Sequence, residues 1–131
     1  MTGGMRRPAT VALIATGFLF LAGCAPQSVA KATLGNRPVY GALGERERAM
    51  AATAIQNAME RKISYHSRFW SNPRRKFSGW VTPLRSYRTK SGFYCREFQE
   101  TVLDRMNGRT RAGTATACRD VDGVWKVVAP R

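Results

Sequence analysis

Residues 93–119 read FYCREFQETVLDRMNGRTRAGTATACR, and the fold turns on this stretch. Phe93 to Leu103 and Thr110 to Arg119 mix aromatic and β-branched residues with polar ones, as a half-buried strand does. Asn107-Gly108 lies between them, and because both residues tolerate positive φ the dipeptide predicts a hairpin joining two long strands. A chain turning with Arg105 opposite Gly108 also sets Cys95 opposite Cys118; a turn one residue later misaligns them slightly. In an oxidising compartment such a pair is expected to form a disulfide. Closing a loop of about two dozen residues stabilises a chain by roughly 3 kcal/mol in the chain-entropy picture. The alternative is a redox or metal site. Two thiols without Cys-x-x-Cys spacing, and His66 as the one histidine, give that little support.

Working outward, turn signals recur at Asn72-Pro73, Ser78-Gly79, Ser91-Gly92 and Asp122-Gly123. They predict further strands at Gly79 to Thr82, Arg85 to Thr89 and Val124 to Val128, an antiparallel β-meander of four to five strands. Upstream, Ala51, Ala54, Ile55, Ala58 and Met59 recur at helical spacing, and Ile63 extends the stripe. Glu45 and Glu47 lie in the first turn and Arg61 and Lys62 in the last, as the helix dipole favours. An amphipathic helix with so narrow and alanine-rich a face is expected to pack on the sheet, since a membrane-surface helix would carry larger apolar residues. The fold class is therefore α+β, one N-terminal amphipathic helix packed on a small antiparallel β-meander. Trp70, Trp80 and Trp125 are expected in its core.

The start of the chain has another character. Arg6 and Arg7 precede an apolar run from Val11 to Leu21, which is too short to span a bilayer and matches the apolar part of a signal peptide. Leu21-Ala22-Gly23-Cys24 looks like a lipobox, in which small residues fit a peptidase and the thiol carries diacylglycerol through a thioether. Cys24 is thus the lipidation candidate, with palmitate-type chains anchoring it far more firmly than a single myristoyl group. Alternatives are an ordinary secretory signal with a fortuitous cysteine, or an uncleaved helix; Met5 is a second candidate start. Ala25, in place of the Asp that commonly signals inner-membrane retention, favours the outer membrane, facing either the periplasm or the exterior. Ala25 to Gly44, with Pro26, Gly35, Pro38, Gly41 and Gly44, suits a tether. The chain is accordingly divided into residues 1–23, a lipoprotein signal peptide; 24–44, a lipid-anchored linker; and 45–131, one domain.

The net charge is +14, and removing Arg6 and Arg7 with the signal leaves the rest near +12. Such a surface favours anionic partners. Arg74, Arg75 and Lys76, followed by Arg85, Arg88 and Lys90 among aromatics, form a candidate anion-binding set. The interleaving resembles a nucleic-acid surface. Export removes nucleic acid as a partner and leaves lipopolysaccharide, phospholipid headgroups, peptidoglycan or an envelope protein. The bland alternative is a solvated basic face.

Signs of chemistry are sparse. One histidine rules out a two-histidine metal motif within one chain, and neither a Gly-x-Ser-x-Gly nor a Walker-type loop is present. Glu97 and Glu100 fall on opposite faces of a regular strand, so they are expected to offset arginines rather than act as an acid–base pair. Asp120-Val121-Asp122-Gly123 reads as a tight turn, since too little chain follows for an EF-hand. No catalytic residue, metal ligand or cofactor is assigned, and the protein is not expected to be an enzyme.

Five segments carry a family resemblance: Phe69-Trp70-Ser71-Asn72-Pro73; Gly79-Trp80-Val81-Thr82-Pro83; Gly92-Phe93-Tyr94-Cys95-Arg96-Glu97-Phe98; Gly113-Thr114-Ala115-Thr116-Ala117-Cys118-Arg119; and Asp122-Gly123-Val124-Trp125. Together with the lipobox they resemble the C-terminal domain of the rickettsial seventeen-kilodalton surface antigens, outer-membrane lipoproteins of proteobacteria. The resemblance implies a small β-rich domain after a helix, an envelope location and antigenicity, with no catalytic residues and no ligand to carry over. Many members bear a glycine-zipper segment after the lipid cysteine, and Ala25 to Gly44 has none. The combined expectation is a lipid-anchored envelope surface protein with a structural or interaction role. Its rival is a binding or inhibitor module whose basic face docks an anionic glycolipid, peptidoglycan or a protein.

Overall fold

The structure, a computed structural model, describes residues 3–4, 31, 33–61, 63–74 and 76–128. The apolar run expected to belong to a signal peptide, Val11 to Leu21, lies outside the described residues, as do Cys24 and Arg75. Helix α1 spans Glu45–Arg61 and follows a short 3-10 turn at Pro38–Tyr40. Five strands come next: β1 Arg68–Ser71, β2 Phe77–Arg88, β3 Tyr94–Asp104, β4 Thr110–Arg119 and β5 Trp125–Val128. They form one sheet in chain order, and every neighbouring pair is antiparallel. This is the expected α+β architecture.

The β3–β4 hairpin sets the register. Leu103 faces Thr110 and Cys95 faces Cys118, so the arrangement with Arg105 opposite Gly108 is the one adopted. Gly108 alone takes positive φ, at 70°. Asn107 contributes differently: its side-chain oxygen accepts the Arg109 N–H at 2.9 Å, while the Asp104 carboxylate accepts that of Met106 at 3.0 Å. Cys95 and Cys118 are joined in a disulfide. The β4–β5 turn repeats the device, with Gly123 at φ 81° and Asp120 accepting the N–H groups of Asp122 at 3.0 Å and Val124 at 2.8 Å.

Three sequence expectations are corrected. First, the two strands expected at Gly79 to Thr82 and Arg85 to Thr89 are one continuous strand, β2. Pro83 does not end it, because the register with β3 shifts between Pro83 and Ser86 and the bulge accommodates the missing N–H. Second, Ser78-Gly79 is no turn: Gly79 sits mid-strand between Trp70 and Val102. Third, the division at Glu45 cuts through the packed unit. Thr33, Leu34, Val39, Tyr40 and Leu43, within the segment expected to be a tether, are buried, so residues 33–44 form a strap over the sheet. The helix is also shorter than its apolar stripe, ending at Arg61 and leaving Ile63 exposed. Strand β1 was not anticipated.

The core lies between α1, the strap and the inner face of the sheet. Helix α1 buries Ala51, Ala54, Ile55, Ala58 and Met59. The sheet supplies the bulk: Trp70, Val81, Phe98, Val102 and Trp125 are all buried. Small residues on the helix let it lie close to these large ones. Trp80 departs from the expected core position, standing on the outer face against Phe69 with ring centroids 5.3 Å apart. Gly79 is required by the Trp70 contact. A Cβ there would stand 2.5 Å from the Thr101 carbonyl oxygen and 2.6 Å from Trp70 Nε1, and neither neighbour is a flexible side-chain end. Gly79→Ala is expected to destabilise the protein by about 1–3 kcal/mol, read as a lowered urea midpoint at unchanged slope.

Candidate functional site

The most constrained polar group is Glu100, at the centre of β3 and 1% exposed. Alternation along β3 points Arg96, Phe98, Glu100 and Val102 inward, and an ionised carboxylate in that row needs partners. The strap provides them. Arg37 forms an ion pair with Glu100 Oε1, and the Tyr40 hydroxyl donates to Oε2. Burial pushes the Glu100 carboxyl above the usual glutamate range, against the lowering effects of Tyr40 and Arg37. Burial likewise raises the Tyr40 hydroxyl, and the neighbouring Glu100 charge adds to the rise. Around this core Arg48 donates to the carbonyls of Tyr40 at 3.1 Å and Gly35 at 3.0 Å. Sequence reasoning did not find Arg37 or Tyr40. The available signal was Glu100 itself, a charge in an inward-facing row.

The remaining carboxylates are mostly committed to cations as well. Glu97, on the outer face, accepts both Arg85 donors at 2.8 Å, Glu60 accepts Arg119 Nε at 2.6 Å, and Asp120 pairs with Lys126 at 2.8 Å. Hydrogen bonds from Arg85, Arg119 and Lys126 hold Glu97, Glu60 and Asp120 below the usual carboxylate range. Glu97 and Glu100 therefore do offset arginines, from opposite faces. With the acids so used, Arg46, Arg68, Arg74, Lys90 and Arg109 have no ion-pair partner among the described residues.

The candidate anion-binding set is not assembled into one face. Arg74 and Lys76 stand at the β1–β2 turn, where Lys76 pairs with Asp104 at 3.4 Å. Arg85, Arg88 and Lys90 stand toward the β2–β3 turn. Strand β2 separates the two groups, about 35 Å end to end when fully extended. Arg75 lies outside the described residues. Beside the second group opens a groove of about 1020 Å³, lined by Tyr87, Phe93, Thr114, Thr116 and Lys126 on the outer face and by Arg37 of the strap. His66 is exposed, and no group of three His, Cys, Asp or Glu able to hold a metal occurs among the described residues. No helix among those residues is long and apolar enough to cross a membrane.

A helix packed on a five-stranded antiparallel sheet, with a disulfide joining two of its strands and carboxylates committed to cations, defines a small disulfide-stapled α+β domain. The family follows from comparison: residues 57–126 match the 17 kDa outer membrane surface antigen family, and the chain belongs to it. The chain is 38% identical over 86 residues to the 17 kDa surface antigen of Rickettsia felis, covering 66% of this chain and 53% of that protein. It is equally similar to the 17 kDa surface antigen of Rickettsia bellii, with the same coverage. The 17 kDa surface antigen of Rickettsia prowazekii is 37% identical over 84 residues, 64% of this chain and 52% of that protein. The chain thus spans about half the length of these curated relatives. No solved structure matches.

The Glu100 cluster has a titration signature. Its folded-state value lies above the roughly 4.3 of an unfolded glutamate, so in that window the native state holds the proton more tightly than the unfolded chain. The stability of wild type relative to Glu100→Gln is therefore expected to rise as pH falls through the folded value and to level off below about pH 4.3. Paired urea titrations between about pH 8 and pH 4 measure it; a constant difference would show that Glu100 titrates alike in both states.

Proposed function

We propose that the protein is a lipid-anchored envelope surface protein, cleaved before Cys24 and acylated there, with a structural or interaction role rather than a catalytic one. The observation that carries this reading is the cysteine arithmetic. Cys95 and Cys118 satisfy each other inside a surface-antigen domain, which leaves Cys24 as the odd thiol, placed at the end of a lipobox. The family name supports an outer-membrane location, and Ala25 supports sorting to that membrane. Mass spectrometry of the membrane-extracted protein is expected to show an acylated Cys24 as the N-terminus. The wild type should sediment with outer membrane and Cys24→Ala should not; an unacylated N-terminus upstream of Cys24 would defeat the proposal.

A second reading, a binding module for lipopolysaccharide, peptidoglycan or an envelope protein, is favoured by the consumption of acids in internal pairs, which leaves cations for an outside partner. Because those cations occupy both ends of β2, the two groups are separable by mutation. Retention on lipopolysaccharide or peptidoglycan should fall with salt and with one of the double variants Arg74→Ala/Lys76→Ala or Arg88→Ala/Lys90→Ala, but not equally with both. Retention insensitive to salt and to both variants would remove this reading.

A further inference from the structure

The two ends of the sheet are chemically unlike. At one end lie the β1–β2 and β3–β4 turns, where Met106 is exposed. At the other lie the C-terminus of α1, the β2–β3 turn and the β4–β5 turn, and the segment leaving α1 runs back from there beside β2 as far as Pro83. Of the ten large apolar or aromatic side chains that are exposed among the described residues, Tyr87, Phe93, Tyr94 and Val121 belong to this second end, and Ile63 and Tyr65 lie on the segment that runs back from it. Val121 is 95%, Tyr65 75% and Ile63 68% exposed, more than partial packing at a domain edge leaves. Tyr65 is also held there deliberately. Its backbone takes the left-handed φ of 67°, costly for a bulky residue. The loop is pinned by the Tyr65 N–H donating to the Pro83 carbonyl at 2.7 Å and the Ser64 hydroxyl donating to that of Leu84 at 2.6 Å. Exposed Arg61, Arg88 and Lys90 flank these loops, and none has an ion-pair partner among the described residues.

The chain enters the fold at this same end. Lys31 accepts the Gly35 N–H at 2.9 Å, and the Thr33 hydroxyl donates at 3.3 Å to the carbonyl of Trp125, which follows the β4–β5 turn directly. Only six residues lie between Cys24 and Lys31, and the seven steps span about 25 Å at full extension. A tether that short keeps this end of the sheet close to the surface on which an acylated Cys24 would sit. We propose that this end of the domain docks on an anionic bilayer, with Tyr65, Ile63, Phe93 and Val121 entering the headgroup boundary and Arg61, Arg88 and Lys90 on lipid phosphates. Aromatic and aliphatic tips on separate loops, ringed by cations, fit an interface of water, phosphate and acyl chain. A protein-docking patch would instead gather its apolar residues and exclude charge from its centre. The orientation rests on the lipid anchor proposed above, whereas the docking surface does not require it.

The full chain, reconstituted in vesicles of phosphatidylethanolamine and phosphatidylglycerol containing a photoactivatable lipid, tests both separately. Illumination is expected to label peptides containing Tyr65, Phe93 and Val121 several-fold more than the peptide containing Met106. Tyr65→Asp with Phe93→Asp should abolish that preference while the disulfide stays formed. The mass of the N-terminal peptide reports the anchor in the same sample. Labelled loops with an unacylated Cys24 would sustain docking and sink the anchor. An acylated Cys24 with loops labelled no more than Met106 would sustain the anchor and overturn docking. Loops unlabelled in vesicles and already protected without them, in a chain of doubled mass, would assign the surface to a second copy and likewise overturn docking.

Discussion

The fold depends on the neutralisation of one carboxylate. Glu100 sits at the middle of the central strand, inside a row with Phe98 and Val102, where an unpaired charge would cost several kcal/mol. Its partners cannot come from the sheet, because the positions beside it in register are Val81 on β2 and Gly113 on β4. They come from the strap, and Gly113 leaves room for them. A Cβ there would lie 3.1 Å from Arg37 Nη2 and 3.5 Å from Glu100 Oε1. Once Arg37 and Tyr40 are placed, the strap carbonyls must be satisfied, and Arg48 and Arg111 take those of Gly35, Tyr40 and Pro38. A chain with few acids has thereby used its arginines to hold a segment of Gly and Pro against a sheet.

The two faces of the sheet are stabilised by different means. On the inner face an alanine-rich helix crosses from the β1–β2 turn, where Glu47 accepts the Asn72 amide at 3.0 Å, to the β4–β5 turn, where Glu60 accepts both Arg119 at 2.6 Å and the Trp125 indole at 2.9 Å. On the outer face no layer among the described residues covers the strands, and the disulfide between Cys95 and Cys118 holds β3 to β4 covalently. Such a staple suits a domain too small for a second core.

The hairpin, its register and the cysteine pair were legible because turn chemistry and strand alternation are local, and Asn107-Gly108 left few ways to align the flanking strands. The helix was legible for the same reason, though not its end. What could not be read locally was each feature decided by a distant partner. Pro83 and Gly79 both look like punctuation in sequence, but a bulge against β3 absorbs one and the Trp70 ring requires the other. Strand β1 has only four residues and exists because β2 extends far enough to pair with it. The strap reads as a linker because its Gly and Pro content is genuine; its buried residues are fixed by contacts 60 or more positions away, as between Tyr40 and Glu100. The basic set failed as a single site because proximity in sequence along β2 becomes distance along a rigid strand.

The extent of the domain follows from the same partnerships. The family match covers residues 57–126 and so contains Glu100, the disulfide and the sheet as far as the first two residues of β5. It omits Arg37, Tyr40 and most of α1, which neutralise that carboxylate and cover the inner face. A unit bounded by the match alone would expose Phe98, Val102 and Trp125 and leave a charge among them without its counterion. The packed unit therefore includes the strap, where the buried Thr33 hydroxyl bonds to the Trp125 carbonyl on the last strand. The strap and the edge strand β5 meet there, and this closure ties the first and last described segments of the packed unit to each other.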